Sequence, residues 1–125
     1  MDYDTFTKTA AERAGLPYEE MERLERATLR TLGDRISGGE AHDLASQLPK
    51  PLKDALEVTP EEAERFGVEE FERRVAERGL VDLEEARTGA VAVLTTVREA
   101  VTPGEFEDVI SQLPQEYREL VGPMA

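Results

Sequence analysis

Ser37-Gly38-Gly39-Glu40-Ala41-His42-Asp43-Leu44-Ala45-Ser46-Gln47-Leu48-Pro49 returns 65 positions later as Thr102-Pro103-Gly104-Glu105-Phe106-Glu107-Asp108-Val109-Ile110-Ser111-Gln112-Leu113-Pro114. Both stretches open as a capping box. The Ser or Thr hydroxyl accepts from the backbone N–H three residues on, and the Glu reaches back to the cap's own N–H. Pro103 takes the first helical position, where a missing N–H costs nothing. Apolar residues follow at helical spacing: Ala41, Leu44, Ala45 and Leu48 in one copy, Phe106, Val109, Ile110 and Leu113 in the other. Pro49 and Pro114 end each helix.

The match extends outward in both directions without a gap. Phe6 falls on Phe71, Ala11-Glu12-Arg13 on Ala76-Glu77-Arg78, and Thr31 on Thr96. From Tyr3/Val68 to Leu56/Val121 there are 16 identities in 54 pairs. Chance for this composition gives roughly 4, so the chain is internally duplicated. A first helix is expected over Tyr3–Ala14 and Val68–Arg78, and a second over Tyr18–Ile36 and Leu83–Val101. Ala90–Val97 alone reads as a buried strand, because it is rich in β-branched residues. Its repeat partner lies in a helical pattern, which makes it a buried central helix. A short fourth helix is expected over Pro51–Leu56 and Gln115–Val121. Thr59-Pro60-Glu61-Glu62 predicts a short linker helix within Glu57–Gly67. The expected architecture is all-α: two tandem copies of a three-to-four-helix unit, residues 3–56 and 68–121. They are expected to pack about a pseudo-twofold axis as one helical bundle and one domain, because about 55 residues is marginal for a core alone.

Composition narrows function mainly by exclusion. The formal net charge is -13 over 125 residues. Such a charge repels phosphate backbones and anionic bilayers, so neither a nucleic acid nor a membrane is an expected partner. With no cysteine, disulfides and thiolate chemistry are excluded. The acidic start Met1-Asp2-Tyr3-Asp4 lacks the pattern of a signal peptide, and the apolar run Ala90–Leu94 is too short to span a bilayer. A cytoplasmic protein is the expectation.

The doubled pattern, S/T-x-G-E-x-x-D-[LV]-x-S-Q-L-P after a Phe-x-x-x-x-A-E-R helix, resembles the bacterial and archaeal family termed domain of unknown function 2267. The resemblance runs from Asp2 to about Val121. It implies a helical fold and brings no catalytic residues.

The chemically capable residues read mostly as structure. His42, the sole histidine, has Ala45 and Ser46 at i+3 and i+4, which offer no further metal ligand of the His or carboxylate type. The carboxylates Glu61, Glu62, Glu64, Glu69, Glu70, Glu72, Glu84 and Glu85 cluster at helix starts, where the macrodipole favours them. No E-x-x-H motif is present for a di-metal bundle. Gly38-Gly39 lacks the lysine and spacing of a phosphate-binding loop. Arg23, Arg26 and Arg30 form the one basic row; their repeat partners are Thr88, Val91 and Thr95, and Glu19 and Glu22 stand at pairing distance along the helix. No catalytic residue, cofactor or metal is expected. The interaction surface, if the copies share one, is expected at Gln47, Pro49, Lys53, Gln112, Pro114 and Arg118, with the glutamines otherwise capping helix carbonyls. The expected function is a non-enzymatic protein–protein interaction module with a protein partner, self-association included. The alternative is a small-ligand-binding or regulatory protein with its site between the units, lined by the Val91–Val97 helix. An enzyme ranks third, because it needs an inward carboxylate and the helical periods place nearly all of them outward.

Overall fold

A computed structural model describes residues 1–57 and 62–121. Eight helices occupy them: α1 Tyr3–Ala14, α2 Tyr18–Arg35, α3 Gly38–Ala45, α4 Lys50–Leu56, α5 Val68–Gly79, α6 Leu83–Ala100, α7 Pro103–Ser111 and α8 Gln115–Val121. Each of the last four starts 65 residues after its counterpart. Among the described residues there is no strand, and no helix is long and apolar enough to cross a membrane.

The caps explain where the helices begin. Asp2 accepts from Thr5 N at 2.8 Å, Asp82 from Glu85 N at 2.8 Å, Ser37 from Glu40 N at 3.2 Å and Thr102 from Glu105 N at 3.3 Å. Gly15 closes α1 in the left-handed region at φ 67°. Its counterpart is Leu80, which holds φ 57° with 80% of its surface exposed, a conformation disfavoured for a residue with a Cβ. Ile36 and Val101, expected as the last residues of the second helices, are extended caps instead. Two differences concern the connections. The third helices stop at Ala45 and Ser111, short of the prolines, which lead α4 and α8. The expected linker helix does not cover residues 62–67, which run without regular structure; residues 58–61 lie outside the described part.

The linker is held by a backbone bond and by side chains where a helix had been expected. Glu64 N donates to Asp34 O at 2.8 Å, and Arg35 Nε donates to Phe66 O at 2.9 Å. Arg74 lies 4.1 Å from the centre of the Phe66 ring and bonds Glu64. Tyr117 Oη also donates toward Phe66 O, at 3.0 Å, while its ring meets Phe71 edge-on at 5.4 Å.

One hydrophobic cluster draws on all eight helices, from Phe6 and Leu24 to Val93 and Tyr117. The two long helices run through it. α2 packs on α1, α4, α5 and α6, and α6 on α1, α2, α5, α7 and α8. Ala90–Val97 is accordingly helical, as the repeat implied. Leu24 and Gly89 occupy equivalent positions and meet: a Cβ on Gly89 would stand 2.7 Å from Leu24 Cδ1. Two leucines cannot share that space, so one copy carries the side chain and the other the room for it. Gly89→Leu should destabilise the chain by about 2 kcal/mol through overpacking. Adding Leu24→Gly should recover much of that loss in urea denaturation; a swap variant no better than Gly89→Leu would show that the two sites do not share one space.

Candidate functional site

The motif that decides the fold is spent on the contact between the halves. Gln47 Oε1 accepts from Thr102 N and Gln112 Oε1 from Ser37 N, both at 2.8 Å. The same amides donate to the hydroxyls of those caps, Gln47 Nε2 to Thr102 Oγ1 at 3.4 Å and Gln112 Nε2 to Ser37 Oγ at 3.2 Å. Each glutamine therefore caps the N-terminus of a helix in the opposite half and not the carbonyl end of its own. The expected reach-back by Glu40 and Glu105 does not form, because those backbone N–H groups are already taken.

A second reciprocal pair uses the Ala-Glu-Arg arginines. Arg13 donates to Thr96 Oγ1 at 3.1 Å and pairs with Glu99 at 2.6 Å. Arg78 donates to Thr31 Oγ1 at 3.0 Å and pairs with Asp34 at 2.8 Å. The two threonines return their own hydroxyl protons to Ala27 O and Ala92 O inside their helices.

Of the residues expected on an interaction surface, Gln47 and Gln112 thus bond within the chain. Pro49 and Pro114 precede α4 and α8, and Arg118 lies 3.7 Å from Glu107. Lys53 borders a surface groove with Leu48, Lys50, Asp54 and Glu57. His42 is exposed, as a solvated helix residue would be.

On α2, periodicity missed an inward carboxylate, and the expected pairing of the arginine row does not form. Glu25 faces inward and is 0% exposed. Thr7 Oγ1 donates to its Oε2 at 3.0 Å, while Oε1 and the hydroxyl of Thr28, one turn on, are buried without a hydrogen-bond partner. Burial pushes the Glu25 carboxyl up to about 7, and the Thr7 hydrogen bond only partly opposes this. The counterparts of Glu25 and Thr28 are Ala90 and Val93, so this polar pocket belongs to the first half alone. The repeat alignment carried that signal: an acid falls opposite an alanine in the most apolar stretch.

The second feature is the arginine row. Arg23, Arg26 and Arg30 are exposed, and among the described residues none forms an ion pair. The expected pairing with Glu19 and Glu22 is not formed. Glu22 instead accepts from Tyr3 Oη at 2.7 Å, and Arg23 Nε reaches Gly79 O at 3.5 Å. By contrast Arg13, Arg73, Arg74, Arg78, Arg87 and Arg118 are all held by carboxylates. On the other long helix, Val91, Ala92 and Thr95 border an open groove of about 310 Å³ with Arg13, Arg87 and Thr88.

These features define an all-helical protein whose halves cap and pair each other. A family model described as an uncharacterized conserved protein, DUF2267, matches residues 3–120. The chain belongs to that family, the domain of unknown function 2267. No curated protein matches it.

Two expectations follow. Gln47→Ala and Gln112→Ala should each cost about 1 kcal/mol, the usual worth of a lost helix cap. Equal stability of both variants and the parent in chemical denaturation would refute the capping role. Glu25 has a folded-state value raised above the unfolded one, so its contribution is complete below pH 4.5 and is lost as pH rises through about 7. Glu25→Gln should therefore match the parent near pH 5 and exceed it by about 3 kcal/mol near pH 9. An unchanged difference between the two pH values would show that Glu25 does not ionise within the fold.

Proposed function

We propose that this chain is a non-enzymatic docking module that binds an acidic segment of a protein partner along the exposed face of α2. The observation that carries this reading is the row Arg23, Arg26 and Arg30, left without ion pairs in a chain of net charge -13. In so acidic a molecule, a row of three exposed guanidinium groups without carboxylate partners is scarce, and six other arginines are taken up by carboxylates. The row spans eight residues, Arg23 to Arg30, about 10 Å along the helix, and suits carboxylates spaced along a partner helix. Net charge favours a protein partner over a nucleic acid. The two halves are best understood as units of one domain related by a pseudo-twofold axis. Both reciprocal pairs of contacts support this, as does the meeting of Leu24 with Gly89. On that scaffold the arginine row, which the second copy lacks, is free to serve a partner.

The groove lined by Arg13, Arg87, Thr88 and Val91 favours the second reading, a small-ligand site between the units. It is the weaker reading, since Glu99 and Glu72 already hold both arginines.

Native mass spectrometry of the protein purified gently from its host tests both. The expected outcome is an added acid-rich protein mass that is lost in the Arg23→Gln, Arg26→Gln, Arg30→Gln triple variant. At about 0.5 kcal/mol for each exposed pair, the three replacements should weaken binding about tenfold. Added small-molecule mass, or specific turnover by the purified protein, would sink the docking reading.

A further inference from the structure

Glu40 and Glu105 sit at equivalent positions in the first turns of α3 and α7, which pack on each other. Relieved of their capping-box role by the glutamines, the two side chains turn to one another. Their carboxylate oxygens and one of Asp43 lie within 4.8 Å of each other. Each glutamate has an Oε2 that is buried and lacks a hydrogen-bond partner. An ionised carboxylate only accepts, so two carboxylates that approach within 4.8 Å, each with an enclosed and unpartnered oxygen, lack a donor between them. The charged neighbours do not supply it. Asp43 on α3 and Asp108 on α7 are both acidic. On α4, which also packs against α3, Lys50 is held by Asp54, and Lys53 borders a surface groove with Asp54 and Glu57. On α6, which packs against α7, Arg98 donates to Val121 O and Glu99 holds Arg13.

We propose that Glu40 and Glu105 share one proton across the α3–α7 contact, and that this proton latches the two halves of the molecule. One carboxyl donates and the other accepts, which satisfies both orphaned oxygens at once. Loss of the proton leaves two like charges in a confined gap and loosens the seam beside the glutamine caps. Burial first, and the neighbouring Glu105 carboxyl next, push the Glu40 carboxyl up to about 8. The latch is complete below pH 4.5, the ordinary value for an unfolded glutamate, and is lost as pH rises through about 8.

Carbon-13 NMR of the glutamate carboxyl carbons in the full chain, titrated from pH 4 to 10 with EDTA present, reads the proton directly. The expected result is a titration step of Glu40 above pH 7. Glu105→Gln should shift the Glu40 midpoint down more than tenfold in acid constant. Two independent midpoints below pH 5 would overturn the shared proton. Thermal melting reads the latch. In a Glu25→Gln background, which removes the other raised carboxyl, the midpoint should fall between pH 6.5 and 9. Glu40→Gln and Glu105→Gln should each flatten that fall, because an amide N–H replaces the proton. An unchanged pH slope in both variants would refute the latch. Magnesium or calcium that restores the parent at pH 9, with no effect on Glu105→Gln, would assign the gap to a cation and overturn the proton.

Discussion

Two glutamine side chains hold this fold across its middle. Ser37 and Thr102 each begin a helix with a backbone N–H that their own sequence does not satisfy, and Gln112 and Gln47 supply the acceptors from the other half. A half of about 55 residues is already marginal for a core of its own. Without the other half, the N–H of each third helix's own cap residue, Ser37 or Thr102, loses its acceptor. The arginine bridges of Arg13 and Arg78 work in the same direction, each reaching a threonine and an acid on the opposing long helix. Four of the sixteen recurring identities, Arg13/Arg78, Thr31/Thr96, Glu40/Glu105 and Gln47/Gln112, reach across. Glu40 and Glu105 meet because the glutamines have taken over their local task.

Much of the helical layout was legible because its signals are local. A hydroxyl three residues before a glutamate, a glycine after an apolar stripe and a proline at a first position each act through neighbouring backbone groups. They located α1 over Tyr3–Ala14, the starts of α3 and α7, and α8 over Gln115–Val121. The register of the repeat corrected the misleading β-branched run in α6. What stayed hidden is what depends on partners distant in sequence. Gln47 looked like a helix-ending cap because nothing local says that Thr102 lies opposite it. Periodicity gave α2 one wet face and one dry face. That helix packs on four others, so the carboxylates of Glu25 and Asp34 are enclosed although the pattern turned nearly all acids outward. The linker was misjudged for a related reason: Asp34, Arg35 and Tyr117 grip the backbone of residues 64–67, and no nearest-neighbour signal records this.

Duplication also forces differences. Where equivalent positions meet, two large apolar side chains collide, and Leu24 against Gly89 resolves the conflict by making the copies unequal. Two acids that meet must lose a charge or gain a bridge, and Glu40 with Glu105 is that case. Away from such meeting points nothing obliges the long helices to stay alike. α6 carries Ala90, Val91 and Val93 where α2 carries Glu25, Arg26 and Thr28. The second helix of each half thus plays the same architectural role, while only α2 bears a buried acid and an exposed row of bases.

Those two features of α2 are electrostatically coupled through adjacent residues. Arg26 points outward next to the enclosed Glu25, and its charge is among those that favour the ionised carboxylate. An acidic group seated on Arg26 offsets that charge and leaves burial to act with less opposition, which raises the proton affinity of Glu25. By reciprocity, a protonated Glu25 makes Arg26 a slightly better site for an acidic group, since one competing negative charge has gone. The coupling needs no change of shape. It follows from placing an acid and a base on neighbouring residues of one helix, one inside the core and one facing solvent, so that an acidic group bound at Arg26 would be linked to protonation of Glu25.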